Sequence, residues 1–530
     1  MKRIVTVLIT AVLLVVCASC SSEDGGTPER DTSQVIIAIS SEPETLDPCK
    51  GWGHGFTPLV QSTLVEYRQD MSIANDLATD YTLSDDRLTW TFRIRDDAYF
   101  TDGEQLTAAD VAFTFNTAKD EQTTLDLSYL ESAVAVDEFT VEFRLTRAHS
   151  TFINTVASVG IVPEHAYSED YGTNPIGSAA YKFVQWNPGE QIILEANPDY
   201  YGDVPAIERV VLVFMDADAA LAAVRAGQVD VALTSATLAD QEIEGYRLVA
   251  VTSMDNRGLT LPVNKDEGET TPDGYPIGND VTGCIEIRKA LAYGIDRERV
   301  AADALSGYGD PAYSENDGMP WHNPETEIAT DVEYAKSLLA EAGWADTDGD
   351  GIVEKDGLKA EFTCLYPSGD TVRQAVAMAA AEQARELGIS IVVEGTSWDD
   401  IDRRMFSSAV LMGWGSTDPY TTYCLYHSSY ALRDDYYNPE NYRSSVTDSY
   451  LESALAAATQ EEANEYWKLA QWDGENGPSM CGDCPWVWLV NVQHLYYVAD
   501  GLDIGEQMLH PHGADWPLIQ NLREWSWSES

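Results

Sequence analysis

The apolar positions of this chain change period from segment to segment, and each change marks an element. Val35-Ile36-Ile37-Ala38-Ile39 is an unbroken apolar run of strand length, and Leu88 to Arg95 (LTWTFRIR) alternates with a period of two. Thr107-Ala-Ala-Asp110 resembles a capping box that opens the helix DVAFTFNTAK. Arg288 to Ala302 reads as two helical pieces broken at Gly294, the second capped by Asp296. Thr330-Asp-Val-Glu333 is another capping box. The helix it opens sets Val332, Ala335, Leu338, Leu339 and Ala342 on one face and ends at Gly343.

The pattern is clearest from Glu361 onward. Glu361 to Tyr366 is strand-like, Asp370 to Leu387 is an Ala-rich helix ending at Gly388, and Ile389 to Glu394 is a second strand. Such a strand–helix–strand unit predicts parallel strands. A helix from Trp398 to Phe406 and a strand from Ala409 to Met412 follow. Where that strand stops, the pattern gives way to GWGSTDPYTTYCLYHSSY, Gly413 to Tyr430, rich in Tyr with little apolar filling. Ligands of open α/β sheets bind beyond the carboxyl ends of strands, so this stretch is expected to line a cleft.

Composition narrows the classes. The 530 residues suggest about three domains, or two large ones, and 44% hydrophobic residues can fill their cores. The 88 Asp and Glu outnumber 32 Lys and Arg, a net charge of −56. Such a chain repels nucleic acid and anionic lipid headgroups. No HExxH, GxSxG or P-loop occurs. Abundant carboxylates and 14 Trp leave a secreted glycosidase as a distant alternative.

The N-terminus carries an address. Lys2 and Arg3 precede an apolar run from Ile4 to Val16, too short to span a membrane and suited to a secretory signal. Ala18-Ser19-Cys20 resembles a lipobox, with Cys17 where Leu is usual. Lipid is expected on Cys20, with residues 1–20 as signal and 21–34 as a flexible tether. Six cysteines follow, including Cys481-Gly-Asp-Cys484, which reads as a local disulfide or two thiols rather than a zinc site. Asp346-Thr-Asp348-Gly-Asp350-Gly351 resembles an EF-hand loop, but Gly357 stands where the bidentate Glu belongs, so it reads as a tight turn.

Several motifs in order carry a family resemblance: SEPETLDP (Ser41–Pro48), IGSAAYKFVQWNPGEQIILEANPDYYG (Ile176–Gly202), AGQVDVA (Ala226–Ala232), IRKALAYGIDRERV (Ile287–Val300) and YAKSLLAEAGW (Tyr334–Trp344). From Val35 to near the C-terminus the chain resembles the family 5 extracellular solute-binding proteins, the peptide/nickel class that feeds ABC importers. Ala179-Ala180 replaces the family's usual Gly-Pro. The resemblance implies an α/β, two-lobed periplasmic-binding-protein-like fold (type II, cluster C) that closes on solute. Lobe I would span 35–257, with a small subdomain at 78–165, and lobe II 258–484. Residues 485–530 would return through the hinge, Pro485–Val492 making the crossing. The implied protein is not an enzyme and has no cofactor. It is a monomer held by lipid at the outer face of the cell membrane, and it hands solute to ABC permease subunits.

The same resemblance suggests the ligand contacts. Trp414-Gly415 and Asp418-Pro419 look like the pairs in nickel-binding members, where the Trp packs on the metal complex. The Asp that receives a peptide's α-amino group is absent from the Gly415-Ser416-Thr417 span. Trp52, Trp414, Asp418, Tyr420, Tyr423 and His427 are the expected ligand contacts together with His54, Trp52 facing Trp414 across the cleft. His54 and His427 would offer imidazole nitrogen to a chelated nickel from opposite lobes. Counterparts of the nickel relative's chelator-holding arginines are missing near Lys119 and Val159. The HxH at His510-Pro-His512 is expected outside the cleft. A nickel chelate is the favoured solute, an oligopeptide the alternative.

Overall fold

The computed structural model describes residues 30–53, 57–121, 125–433 and 435–528. Two large sheets organise Ser33 onward. The first has seven strands in the order Tyr246–Val251, His494–Ala499, Val231–Thr234, Gln34–Ile39, Arg209–Phe214, Gln191–Ala196, Tyr181–Asn187. Gln34–Ile39 lies inside it, parallel to both neighbours. A strand covered on both faces has no polar side to show, which is why its sequence is an apolar run rather than an alternation.

The second sheet has six strands in the order Gly309–Pro311, Trp486–Val492, Asn256–Thr260, Ala409–Met412, Glu361–Pro367, Ser390–Thr396. Glu361–Pro367 runs parallel to both Ser390–Thr396 and Ala409–Met412, as the strand–helix–strand pattern predicts. The helix between them, Thr371–Glu386, is capped by the Asp370 side chain and followed by Gly388 at φ 82°. Helices Ile285–Gly294 and Arg297–Leu305 break where expected, and Asp296 accepts from Arg299 N. The next helix is capped one residue later than the sequence suggests. Asp331, not Thr330, accepts from Tyr334 N, because a carboxylate at that point reaches the free amide.

A third sheet of four strands, Ala78–Leu83, Thr89–Ile94, Thr140–Leu145 and Leu130–Asp137, is inserted in the chain between strands of the first. Helix Ala108–Glu121 packs on it, and Phe92, Phe115, Phe143 and Phe152 fill the core between. The Thr107–Asp110 box forms only in its second half: Asp110 accepts from Thr107 N at 2.9 Å.

The chain passes from the first large sheet to the second between Val251 and Asn256, and back between Val492 and His494. Trp486–Val492 pairs with Asn256–Thr260 inside the second sheet, so the return falls at Gln493 and not within Pro485–Val492. The result is two lobes. Lobe I holds the seven-stranded sheet with its inserted subdomain, and lobe II the six-stranded sheet. Trp525, near the end of the described chain, is buried in the core of lobe I.

Candidate ligand-binding cleft

The cleft is built where strand Ala409–Met412 ends, against the first crossing between lobes. A Cβ on Gly413 would lie 1.9 Å from the Asn256 carbonyl oxygen, and one on Gly415 2.4 Å from that of Met254. Only glycine lets these two backbones lie this close. Trp414 N donates to Asn256 Oδ1 at 2.8 Å, Asn256 N to the Trp414 carbonyl at 3.1 Å, and His512 N to the Gly415 carbonyl at 2.9 Å. The Trp414 loop is thereby fixed to the hinge.

Asp418 then turns the chain into helix Tyr420–Tyr426 by accepting from Tyr420 N at 2.9 Å. Helical spacing brings Tyr420, Tyr423 and His427 into one stack, with ring centroids 5.2 Å and then 4.3 Å apart and planes within 12° of parallel. Trp414 stacks on Tyr437 at 4.5 Å. Tyr430 sets its edge against both Tyr423 and Tyr437. The answering wall comes from lobe I: Tyr129, Arg147 and His149 of the subdomain, and Asp515 and Trp516 near the C-terminus. The space between the walls is about 1170 Å³.

Burial sets the protonation states. Asp418 is pushed up to about 7 by loss of solvent, although Tyr420 N and the Thr151 hydroxyl both favour its ionised form. His149 is pulled down to about 3 by burial and by the nearby Arg147 charge, so it is neutral. At the hinge, burial would raise Asp255. Arg257 beside it at 2.5 Å and the His494 and His512 rings outweigh burial and hold the carboxyl well below its usual range. On the cleft side chains His149 and Trp414, Nδ1 and Nε1 are buried without a hydrogen-bond partner among the described residues.

Of the residues expected from sequence, Trp414, Asp418, Tyr420 and Tyr423 line the cleft. Trp52 does not face Trp414. It is buried in the lobe I core, edge-on to Trp516 at 5.0 Å, and Trp516 holds the position on the wall. His427 stands behind Tyr423, its Nδ1 2.8 Å from Ser429 Oγ and its Nε2 3.6 Å from Glu452. It is drawn off the wall by its place at the end of the stacking helix. His54 and Cys20 lie outside the described residues. The HxH is not outside the cleft: His512 lines it and pairs with Asp255 at 2.5 Å, while His510 is buried 3.0 Å from His494.

The acidic loop and the CxxC lie elsewhere. Asp346, Asp348, Asp350 and Glu354 converge within 4.8 Å, with the Lys359 ammonium 3.0 Å from Asp348. Cys481 and Cys484 are free thiols. Sequence reasoning missed Arg147, His149, Asp515 and Trp516. None sits in a motif or at a periodic position, so no local signal marked them.

Comparison with known proteins gives the family. The model of bacterial extracellular solute-binding proteins, family 5 Middle, matches residues 72–434. Protein XP55 of Streptomyces lividans is 33% identical over 91% of this chain and 87% of its own length. The oligopeptide-binding protein AppA of Bacillus subtilis (strain 168) is 27% identical over 89% of this chain and 90% of its own. The crystal structure of NikZ from Campylobacter jejuni in complex with Ni(L-His) superposes with a TM-score of 0.74 at 25% identity, covering 94% of this chain and 100% of that one. The glycosidase alternative finds no support in these relatives. The two-lobed α/β chain belongs to the family 5 extracellular solute-binding proteins, non-enzymatic binding components of ABC importers.

Proposed function

We propose that this protein captures a short peptide between its lobes and carries it to the permease of an ABC importer. The observation that supports this most is the cleft. Its volume of about 1170 Å³ exceeds the roughly 300–1,000 Å³ usual for drug-sized ligands, and its walls offer stacked aromatic faces together with charged groups of both signs. Trp414, Asp418, Tyr420 and Tyr423 are the lobe II contacts in this reading, and closure of the lobes around the solute favours the bound form. The AppA relative is named as an oligopeptide-binding protein.

A nickel chelate is the second reading, favoured by Trp414 on the cleft wall and by the Ni(L-His) complex of the NikZ relative. It calls on His54 for one imidazole. His427, which stands behind Tyr423 with its Nδ1 on Ser429, would have to turn its Nε2 into the cleft to supply the other.

The protein is further proposed to work as a monomer at the extracytoplasmic face, tethered by lipid on Cys20. Among the described residues no helix is long and apolar enough to cross a membrane. Native mass spectrometry with metal analysis of protein purified without added solute tests the reading. Bound peptide masses support the first solute, nickel with amino-acid masses supports the second, and turnover of an offered solute refutes both. Loss of labelled fatty acid in Cys20→Ala tests the tether.

A further inference from the structure

We propose that the buried rings of His494 and His510 share three ring protons, one more than two neutral rings hold, and that the extra proton clasps the C-terminal segment to the hinge and so positions the lobe I wall of the cleft. The part played by the wall rests on reading the cleft as the solute site; the proton count does not.

The two rings meet where the chain crosses between lobes. His494 opens strand His494–Ala499, directly after the return from lobe II. His510 is sewn by its backbone to the first crossing: Met254 N donates to the His510 carbonyl at 2.9 Å, and His510 N to that of Thr252 at 3.2 Å. The two residues are 2% and 0% exposed, and their Nδ1 atoms lie 3.0 Å apart. Two nitrogens at that distance need one proton between them.

The far nitrogen of each ring fixes the remaining protons. His510 Nε2 lies 3.4 Å from Gln507 Oε1. That amide cannot turn round, because its Nε2 donates to the Ile504 carbonyl at 2.7 Å and to Asn521 Oδ1 at 2.9 Å. Asn521 is fixed in turn by Trp525 Nε1, a group that only donates, 2.9 Å from the same Oδ1. Gln507 therefore presents an oxygen, and His510 Nε2 donates to it. At the other end His494 Nε2 lies 3.4 Å from Asp255 Oδ2. Burial opposes the charge of Asp255, but Arg257 at 2.5 Å and the His494 and His512 rings hold it ionised. His494 Nε2 therefore donates as well. With only two protons, a buried lone pair would face either the Asp255 carboxylate or the Gln507 oxygen, and an unmade contact of that kind is costly.

The surrounding charges place the third proton on His494. Asp255 and Arg257 face it from the first crossing, and His512 pairs with the same carboxylate at 2.5 Å. Arg373, next in charge contact with Arg257 and Asp255, is tied to Asp370. Near His510 stand Tyr496, whose hydroxyl donates to the Ala514 carbonyl, and Asp515, held by Ser40 and Ser41. Asp310 accepts from Gln493 Nε2 at 3.0 Å. Among the described residues, Asp255 alone of these carboxylates hydrogen-bonds a ring of the pair, and the ring is that of His494. Burial and the neighbouring His494 charge hold His510 well below the ordinary histidine range, which keeps that ring neutral.

The cleft wall hangs from this clasp. Residues 511–517 follow His510 directly and line lobe I, bringing Asp515 and Trp516 to the solute space. A hydrogen bond from an imidazolium is stronger than one from a neutral ring, so the wall is pinned at its root by a charge.

Neutron diffraction from crystals of deuterated wild type at neutral pD counts the protons. Three ring deuterons are expected, two on His494 and one on His510; two in all would overturn the inference. Hydrogen exchange read by mass spectrometry tests the clasp in His494→Phe, which keeps a ring and removes its protons. Amides of residues 510–517 are expected to exchange about 10–100-fold faster, the worth of one hydrogen bond from a charged group, with strand Glu361–Pro367 unchanged. No rise, or an equal rise throughout, overturns the clasp, and should the variant fail to fold, the wild-type count still decides. Tri- to pentapeptide libraries and nickel–histidine, offered in native mass spectrometry, are the solute probes. Whichever of them wild type retains is expected to bind His494→Phe about 10-fold more weakly. Undiminished affinity overturns the positioning of the wall. No retention by wild type overturns the solute reading and leaves the proton count standing.

Discussion

The Tyr67 hydroxyl, on lobe I, donates to the Thr417 carbonyl of lobe II at 2.9 Å. The two residues are 350 positions apart in sequence. Asn154 Nδ2 joins them, 3.0 Å from the Tyr67 oxygen and 3.2 Å from the same carbonyl. A second seam lies at the end of helix Ser445–Leu455. There the last carbonyls, which have no partner inside the helix, accept from lobe I: Ala454 from Ser150 Oγ at 2.8 Å, Leu455 from Ser150 N at 2.9 Å, and Ala456 from Arg87. These contacts exist only when the lobes are together, and none of these donors lines the cleft.

Tyr67→Phe is therefore expected to weaken every solute by one common factor, about 2–10-fold, the worth of one neutral hydrogen bond. Calorimetry on two chemically different solutes checks it, with X-ray scattering to follow the radius. A loss confined to one solute would mean that Tyr67 contacts ligand instead of holding the lobes.

Asp255 ties together Arg257 of lobe II, His494 of lobe I and His512 of the cleft. Asp255→Asn leaves a buried guanidinium unpaired and is expected to cost about 3–5 kcal/mol at pH 7. The carboxyl is held below its usual value, so its stabilisation is complete above about pH 4 and is lost as pH falls further. Urea unfolding at pH 7 and pH 3 should show the gap between wild type and variant closing at the lower pH; a constant gap counts against the charge.

His149 titrates in the opposite sense from a paired histidine. Folded, it stays neutral down to about pH 3, while the unfolded chain takes up that proton near 6.5. The unfolded state binds more protons between those values, so stability falls as pH falls, by up to about 1.4 kcal/mol per unit for this one group. His149→Gln should flatten the stability–pH slope between pH 6 and 4 by one proton. An unchanged slope would show that the ring is not held neutral.

Asp418 gives a slope of the other sign. Folded, it keeps its proton up to about pH 7; unfolded, it loses it near 3.8. The native state binds more protons across that window, so stability falls as pH rises through it. Asp418→Asn retains an acceptor for Tyr420 N and removes the titration. It should gain on wild type between pH 4 and 8, on the order of 2–4 kcal/mol by the top of that range. Parallel curves for the two proteins would refute a buried neutral acid.

The sequence by itself determined the elements and one wall of the cleft. Val35–Ile39, Leu88–Arg95 and the Glu361–Glu394 unit could be read because side-chain period depends only on near neighbours. Asp296 could be read as a cap because a cap acts within three residues. Trp414, Asp418, Tyr420 and Tyr423 could be read because they follow a strand end on a contiguous stretch. Tertiary structure alone decided the rest. Trp516 stands on the cleft wall and Trp52 behind it because the C-terminal segment packs back over lobe I, a contact no local pattern encodes. His149 meets Tyr420, and Arg147 shares their cleft, only because the subdomain packs across from lobe II, and the chain crosses back at Gln493 only because Trp486–Val492 pairs first with Asn256–Thr260. Local spacing fixes which face a residue presents; which distant face it meets is fixed by how the sheets pack and where the chain crosses between them.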